Sequence, residues 1–572
     1  MFEPTRTTIL AIILTVGAAC SDSGTTPQDP PVPTPVIQSV SPEVGTVGTE
    51  VRIDGTGFTA TESQVFFGTL QATSVELEDG SLFALAPDGL VEDETYDVRV
   101  VNSGTESATL ASGFQAIAPR ALRVNGVTLP TGLKGMTIIV EGNAFSDVRE
   151  NGSIFFMGED GSPVEAQVAD PEDDWANTFI VTTVPQAVGD TSAIWVETPT
   201  GVSDSIQFLL IQTAGFSPST IDWTRTTDLP QGLQGLDAAF VPIEAGEVRE
   251  NWVYVTGGAD AGVNPVDAVI RAPIEEAGSI GAWDEGLTSL PEARAFHTLV
   301  AATAFTAALD TTTTAANLYV LGGIDGDGGV VNTVFRGHVD LDGQITAWTV
   351  ERDLPEALHS MGAAVFRGYL YIAGGADAEH ASVDAVYRAR VNSDGTLGAW
   401  ESLDALPQPR AYFSLVSFGP YLYSVGGETE TAEPTEARTG TETPSVQMAR
   451  INLRTGGIRD TWAPAGDGAE APKGRNKHST IFAGGFLFTT SGLYSGQAGS
   501  SENEYSAIQD GGMLDPWSGA TGVNTILNRL GYSLFNQAAI SFVDAEGNGH
   551  VLILGGGQVE NPGEVSEAVV YF

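Results

Sequence analysis

Three observations predict an all-β protein whose C-terminal part is a ring of repeated four-stranded sheets. From residue 35 onward, apolar and polar residues alternate between Gly and Pro punctuation, as strands and turns do. Beyond residue 214, six apolar strands end in small residues: VYVTGG at 253–258, LYVLGG at 318–323, LYIAGG at 370–375, LYSVGG at 422–427, LFTTSG at 487–492 and VLILGG at 551–556. Their final glycines lie 65, 52, 52, 65 and 64 residues apart, a period that signals a β-propeller with four strands per unit. Six tryptophans, Trp223, Trp283, Trp348, Trp400, Trp462 and Trp517, recur in step and mark the fourth, outermost strand of each unit.

Length and charge bound the rest. A chain of 572 residues holds roughly two to four domains. Its 73 Asp and Glu against 25 Lys and Arg give a net charge of −48, and Lys134, Lys473 and Lys477 are the only lysines. Such a surface repels a phosphate backbone, so nucleic acid is not an expected partner. It suits solubility in salty surroundings and attracts cations.

The first element is a leader. Arg6 precedes an apolar run at 9–16, too short to span a bilayer, and Gly17-Ala18-Ala19-Cys20-Ser21 follows. Cys20 is the only cysteine in the chain. Small residues ahead of a lone cysteine resemble the lipobox of bacterial lipoproteins, although Gly17 stands where that family usually has Leu. The resemblance implies a signal peptide at 1–19, a diacylglycerol on Cys20 and, with Ser21 in the next place, an outer-membrane lipoprotein that is surface-exposed or periplasmic. The alternative is an ordinary cleaved signal peptide with an incidental cysteine. Residues 20–34, rich in Pro, Ser and Thr without an apolar period, read as a flexible tether.

Residues 35–117 continue with PVIQSVSPEVGTVGTEVRIDGTGF, Val65-Phe66-Phe67-Gly68, Ala86-Pro87, a strand pattern at 96–102 and Phe114. This series resembles an IPT/TIG domain, an immunoglobulin-like β-sandwich. A second, more diverged copy at 118–213 is marked by TIIVEGNAF at 137–145, Phe155-Phe156-Met157-Gly158, Val184-Pro185, a strand pattern at 193–201 and Phe208. Its acidic insert at 169–175 reads as a solvated loop. Both sandwiches are expected to be spacers that hold the C-terminal part away from a membrane, and their removal is expected to cost that part little.

Residues 214–572 are the expected propeller. A glycine stands five residues before each of the last five tryptophans (Gly278, Gly343, Gly395, Gly457, Gly512) and turns the third strand into the fourth. Before Trp223 that place is Pro218, with no propeller strand ahead of it. The chain therefore enters with an orphan fourth strand at 221–228 and leaves with an orphan third strand at 568–572. Pairing the two closes a six-bladed ring and removes a free sheet edge. The Gly-Gly pairs and the later Trp-x5-Leu-Pro, as at 400–407, resemble the kelch repeat.

Candidate ligand contacts come from the entries to the first strands, which share a face with the loops joining strands two and three. Four of six entries read Arg-x-x-aromatic-hydroxyl: Arg294 with His297, Arg410 with Phe413, Arg475 with His478, and Arg529 with Tyr532. Converging guanidinium groups fit a carboxylated ligand. The same residues equally suit ties between blades, which kelch repeats commonly use. Lys473 to His478 is the one basic cluster, Asp325-Gly-Asp327 is an acidic turn lacking the Glu of a calcium loop, and the Thr/Glu/Pro insertion at 428–444 is a lid or merely tolerated length. Galactose oxidase-like kelch enzymes need a Tyr–Cys crosslink, and Cys20 is committed elsewhere. Ser393-Asp394-Gly395 departs from the Asp box of sialidase-like propellers, and there is no nucleophile–base, paired-His or phosphate-loop motif. No catalytic residue, metal or cofactor is expected.

The resulting expectation is a lipid-anchored envelope protein for binding or adhesion, reading a glycan or protein with the propeller's loop face. The alternatives are a carbohydrate-active enzyme on an acidic sugar and a structural envelope component. Cys20→Ala should release the protein from membranes, because no other segment of the sequence offers an anchor. Retention in the membrane fraction after a high-salt wash would count against the lipid.

Overall fold

The computed structural model describes residues 33–571, apart from 61–62, 103–105, 125–130, 149–151, 211–220, 246–247, 276–277, 304–313, 431–440, 468–469, 471–473, 494–501, 521–525, 544–548 and 562. The leader, Cys20, most of the tether, Pro218, Lys473 and much of the 428–444 insertion lie outside the described residues.

The first β-sandwich packs the sheet Val36–Ser41, Glu50–Thr56, Ser81–Leu85, Val75–Glu78 against the sheet Val44–Gly45, Glu106–Ala116, Thr95–Asn102, Ser63–Phe67, Leu70–Gln71. Alternation explains it: Val51, Ile53, Val65, Phe67, Val98 and Val100 point inward and form one core with Phe114, while their neighbours face out. The second sandwich repeats the order strand for strand. Arg120–Val124, Thr137–Asn143, Phe179–Thr183 and Trp175–Ala176 face Thr131–Gly132, Ile206–Leu210, Thr191–Thr198, Ser153–Met157 and Pro163–Glu165. Two sequences with little in common thus satisfy the same pairing rules.

The described C-terminal residues form six sheets. The first sheet is Asp237–Ala245, Val248–Thr256, Val269–Pro273. The second is Thr298–Thr303, Ala316–Leu321, Val334–Val339, Ile345–Val350, and the third is Gly362–Phe366, Tyr369–Ala373, Val386–Val391, Leu397–Ser402. The fourth is Ser414–Phe418, Tyr421–Val425, Val446–Ile451, Ile458–Pro464, and the fifth is Ser479–Ala483, Phe486–Thr490, Asn503–Ala507, Ser518–Ala520. The sixth is Ala538–Val543, Gly549–Leu554, Val569–Tyr571 and, from the other end of the segment, Thr224–Arg225. There Thr224 pairs with Tyr571 and Arg225 with Val570, antiparallel. In the first sheet the strand expected around Trp283 is reduced to the isolated bridges Arg271–Asp284 and Ile274–Ile280. The first strand of each sheet touches those of both neighbours, the sixth returning to the first.

Two circuits of backbone hydrogen bonds link the sheets. One residue just before each first strand has φ of 50–59°: Gly235, Phe296, Ser360, Tyr412, Lys477 and Asn536. In this left-handed conformation the amide reaches the neighbour on one side and the carbonyl the neighbour on the other. Phe296 N–H donates to Gly235 O, Ser360 to Phe296, Tyr412 to Ser360, Lys477 to Tyr412, Asn536 to Lys477 and Gly235 to Asn536, all at 2.7–3.0 Å. In the second circuit, Gly258, Gly323, Gly375, Gly427, Gly492 and Gly556 donate to the carbonyls of Arg294, Leu358, Arg410, Arg475, Leu534 and Leu233 of the next sheet, at 2.7–2.9 Å. The preceding residue must be small. A Cβ on Gly374 would lie 2.4 Å from the Arg410 carbonyl and 2.8 Å from the Phe413 ring. This explains the repeated Gly-Gly.

Side chains reinforce the same links. Tyr254, Tyr371 and Tyr423 donate their hydroxyls to Gly343, Gly456 and Gly512 in the turn between third and fourth strands of the next sheet, at 2.6–2.7 Å, and Tyr319 does so to Gly395. In the fourth sheet the left-handed turn residue is Gly456, one place before the expected Gly457. Trp348 and Trp462 donate their indole N–H to Thr288 and Asp404 carbonyls of the preceding sheet, at 2.9 and 3.0 Å.

The second sandwich is not a spacer. Its sheet containing Thr137–Asn143 lies on the third, fourth and fifth sheets, and Trp175 and Met136 share one core with Tyr421, Tyr423 and Trp517. Ile139, Phe179 and Val181 pack on Phe366 and Leu453. Thr183 donates to Asp510 at 2.8 Å, and Arg367 pairs with Glu141 at 2.6 Å. The 169–175 insert, expected to be solvated, carries the short helix Pro171–Asp174 and part of this joint. Arg450 pairs with Asp174, Arg459 with Asp170, and Arg454 donates to the Trp175 carbonyl at 2.6 Å. An acidic loop looked solvated because its basic partners lie nearly 300 residues away. These contacts fall on the turns between strands one and two or three and four, as at Arg367, Arg454 and Asp510, and on the strand ends beside them, as at Phe366, Tyr421, Arg450 and Arg459. The first sandwich is joined to the second through Thr49 to Asn177 (3.0 Å), Glu50 N–H to Asp147 (2.8 Å) and Thr46 to Thr200.

A chain lacking residues 35–213 should therefore melt at least about 5 °C below the full chain, because it uncovers Phe366, Tyr421 and Leu453 and strands the arginines. Equal melting temperatures in thermal scans would restore the spacer reading.

Candidate functional site at the axis of the six sheets

A cavity of about 550 Å³ runs along the first strands of all six sheets. The six left-handed residues lie at one end, and Phe240, Ala301, Val365, Ser417, Phe482 and Ser541 toward the other. Its lining mixes apolar residues of the first strands with hydroxyls such as Thr298, Ser414, Ser479 and Thr480. Asp237 is the carboxylate among the lining residues, accepting the Leu299 amide at 2.7 Å, and burial pushes its carboxyl up to about 7.

The arginines expected around the mouth brace the strands of their own sheets with their side chains and do not tie one sheet to the next. Arg294, Arg410 and Arg475 are 0, 0 and 1% exposed. Arg410 Nη1 donates to the carbonyls of Gly426 and Ser445 (3.1 and 3.3 Å), and Arg475 Nη1 to those of Ser491 and Glu502 (3.0 and 3.3 Å). Each thus holds the exit of its second strand to the start of its third. Arg475 also pairs with buried Glu504 at 2.6 Å. Arg294 donates to Thr333 at 2.6 Å and Glu292 at 2.9 Å. His297 and His478 are buried, and burial, helped by the adjacent Arg294 and Arg475, lowers both to about 3. Buried neutral imidazoles, and guanidinium groups turned into their own sheets, do not make an open anion mouth, although Arg410 Nε and Nη2 have no hydrogen-bond partner among the described residues.

Arg529 and Tyr532 lie off the pattern altogether. Leu534 occupies the place of Arg294, since it accepts from Gly492 and pairs with Gln558. Arg529 is exposed on the short helix Ile526–Leu530, and the Tyr532 hydroxyl meets Ser566 at 3.0 Å. Asp325 accepts the amides of Asp327 and Gly329 within its own turn. Among the described residues no His, Cys, Asp and Glu grouping fit for a metal occurs.

The departure from sixfold regularity lies elsewhere. The residue after each Gly-Gly pairs with the one preceding the left-handed residue of its own sheet. In five sheets it is apolar: Ala259, Ile324, Ala376, Leu493 and Gly557. In the fourth it is Glu428, fully buried, with Oε1 accepting from Asn476 Nδ2 at 2.6 Å. Its Oε2 has no hydrogen-bond partner among the described residues. Lys477, also buried, sits 4.7 Å over the Tyr412 ring and draws the Glu428 proton away. On the adjoining third sheet, His359 Nε2 meets His380 Nδ1 at 2.9 Å, and burial keeps His359 neutral, at about 3. Phe296, Tyr412, Ile324 and Ala376 complete an apolar plug beside this polar sector. Sequence reasoning places Asn476 and Lys477 in the basic cluster and Glu428 only at the start of the 428–444 insertion, and it misses His359 and His380. Aligning the residue after each Gly-Gly would have found Glu428.

Residues 35–115 match the IPT/TIG domain model, so the first sandwich is an IPT/TIG immunoglobulin-like domain. A cyclomaltodextrin glucanotransferase of Bacillus sp. (strain 1011) is 29% identical over 114 residues, 19% of this chain and 16% of that protein. The enzyme of the same name from Geobacillus stearothermophilus is 30% identical over 114 residues, 20% and 16% respectively. The chain therefore spans about a sixth of these relatives, by the 16% share. The solved structure of YjhT aligns with 60% of this chain and 96% of its own at a TM-score of 0.41 and 15% identity, too weak a likeness to carry argument.

Burial pushes the Glu428 carboxyl up to about 8, against the pull of Lys477. Between the ordinary Glu value and that one, the folded chain holds a proton that the unfolded chain has released. Its contribution to stability is therefore full below the unfolded pKa and is lost as pH rises through the folded one. Glu428→Gln should remove that dependence. Urea unfolding between about pH 5 and 9 should show wild type losing stability relative to the variant as pH rises. Parallel curves would mean that Glu428 does not titrate this way.

Proposed function

We propose that the six sheets are the blades of a six-bladed kelch-like propeller completed by Thr224–Arg225, that residues 118–213 are a second IPT/TIG domain, and that the protein is exported and held in the bacterial outer membrane by lipid on Cys20. Its role is binding: the propeller end left free by the second sandwich reads a glycan or protein, with nucleic acid disfavoured by the net charge of −48. One observation carries this reading. Glu428, Asn476 and Lys477 break the repeat at that end with buried polar groups that cost stability and serve no tie made in the other sheets. A glycan supplies the hydroxyl donors and acceptors that such a sector lacks.

A second reading, an enzyme on an acidic sugar, is favoured by one feature. A carboxyl held near neutrality beside a lysine is suited to proton transfer. Both readings are tested by a glycan array with the exported chain, followed by NMR of any bound sugar. Lys477→Asn, a residue the left-handed position tolerates as Asn536 shows, should remove from the array profile the glycans read at that end while leaving melting nearly unchanged. Chemical change of the bound sugar selects the enzyme, and no glycan bound by wild type overturns the glycan reading.

A further inference from the structure

The second sandwich has one sheet buried against the C-terminal sheets and one sheet whose outer face, among the described residues, packs on neither the first sandwich nor the C-terminal sheets. On that outer face Trp195, Phe155 and Glu165 stand in one row across three strands, since Phe155 pairs with Trp195 on one side and Glu165 on the other. The Phe155 and Trp195 rings stack with centroids 5.6 Å apart and planes 19° from parallel, both partly exposed. Together they make a flat apolar strip. In the next row Ser153 pairs with Glu197. Trp195 Nε1 donates to Glu197 at 2.9 Å and Ser153 Oγ to Glu165 at 2.9 Å, so both carboxylates are fixed beside the strip.

The first sandwich supplies an internal comparison. Its equivalent row is Arg99, Phe66 and Gln71, and the Arg99 guanidinium lies 4.3 Å over the Phe66 ring. There the aromatic face is covered by the protein itself. In the second sandwich the covering cation is replaced by a second ring.

We propose that the Phe155–Trp195 face is a binding site for a neutral, hydroxyl-rich polysaccharide chain. A pyranose has an apolar C–H face that lies flat on aromatic rings and an equatorial rim of hydroxyl donors, which the two fixed carboxylates accept. An anionic polymer is repelled by Glu165 and Glu197, and a purely apolar partner would leave both carboxylates desolvated. The site is separate from the axial one and from the joint with the C-terminal sheets, which uses the opposite sheet.

Affinity electrophoresis and calorimetry of the full exported chain with maltohexaose, cellohexaose and xylohexaose test the proposal. At least one should bind, with an affinity indifferent to salt because no charge is neutralised. Trp195→Ala should weaken it by about tenfold or more, Trp195→Phe should retain most of it, and Phe66→Ala should leave it unchanged. Thermal melts check that Trp195→Ala stays folded, and Phe155→Ala gives the same reading should it not. Binding of none of the three, or binding that survives both aromatic substitutions, overturns the proposal. So does binding of an oligolysine peptide that disappears with salt, which would make this a cation site.

Discussion

The left-handed residue before each first strand is the constraint on which the C-terminal architecture depends. A residue with φ near 50° cannot bond within its own strand, and its amide and carbonyl point sideways to two different sheets. Five of the six are not glycine, and each such residue costs about 1–3 kcal/mol of backbone strain. The circuit supports that cost only when every member has both neighbours, so a single sheet has no use for it. The Gly-Gly circuit obeys the same logic one layer out, where Gly258 and its equivalents donate to the neighbouring sheet and Gly257 and its equivalents leave room for it. Thr224–Arg225 completes the sixth sheet from the other end of the segment, so its pairing with Val569–Tyr571 links sheets made first and last in the chain.

Because the circuit is made by backbone, its side chains are free to differ. Phe296, Ser360, Tyr412, Lys477 and Asn536 have nothing in common except the conformation they share. This is why the site was poorly legible in the sequence while the strands were plain. Strand positions follow from apolar alternation, Gly-Gly and Trp, each of which has a steric or hydrogen-bonding cause repeated in nearly every sheet. The arginines repeated too, and repetition was the sign of a brace within each sheet: Arg410 and Arg475 make the same pair of carbonyl bonds. Arg529 was matched by residue type at the wrong distance from its strand, and backbone partners, which a sequence does not display, correct the register to Leu534. Glu428 was overlooked for the opposite reason, because it occurs once.

Charge distribution ties the parts together. In a chain with 25 basic residues against 73 acidic ones, cations are largely committed to joints. Arg271, Arg336 and Arg388 each reach from a third strand to a carbonyl in the next sheet's turn, at 3.0, 3.2 and 2.6 Å. Arg367, Arg450, Arg454 and Arg459 hold the second sandwich. Isolated exposed pairs contribute little, but these are partly buried, shared among several acceptors and joined to an apolar interface, so they fix orientation as well as adding stability. The acidic surface left behind is the complement of that use.

A rigid joint changes what each part can do. With the sandwich seated on and beside the turns between strands one and two and three and four, the end of the axial cavity that carries Lys477, with Glu428 beside it, lies away from the joint. The outer sheet of the same sandwich, with Phe155 and Trp195, faces away from the joint because the inner sheet is spent on it. Two surfaces of different chemistry, one a polar sector among buried groups and the other a flat aromatic row, are thereby held at a fixed separation. A tethered pair of domains would sample many separations, and binding at one surface would raise the effective concentration at the other only weakly. A seated pair would concentrate that effect on partners whose spacing matches, so under the two proposed binding roles the arginine joint would set selectivity for extended ligands as well as stability.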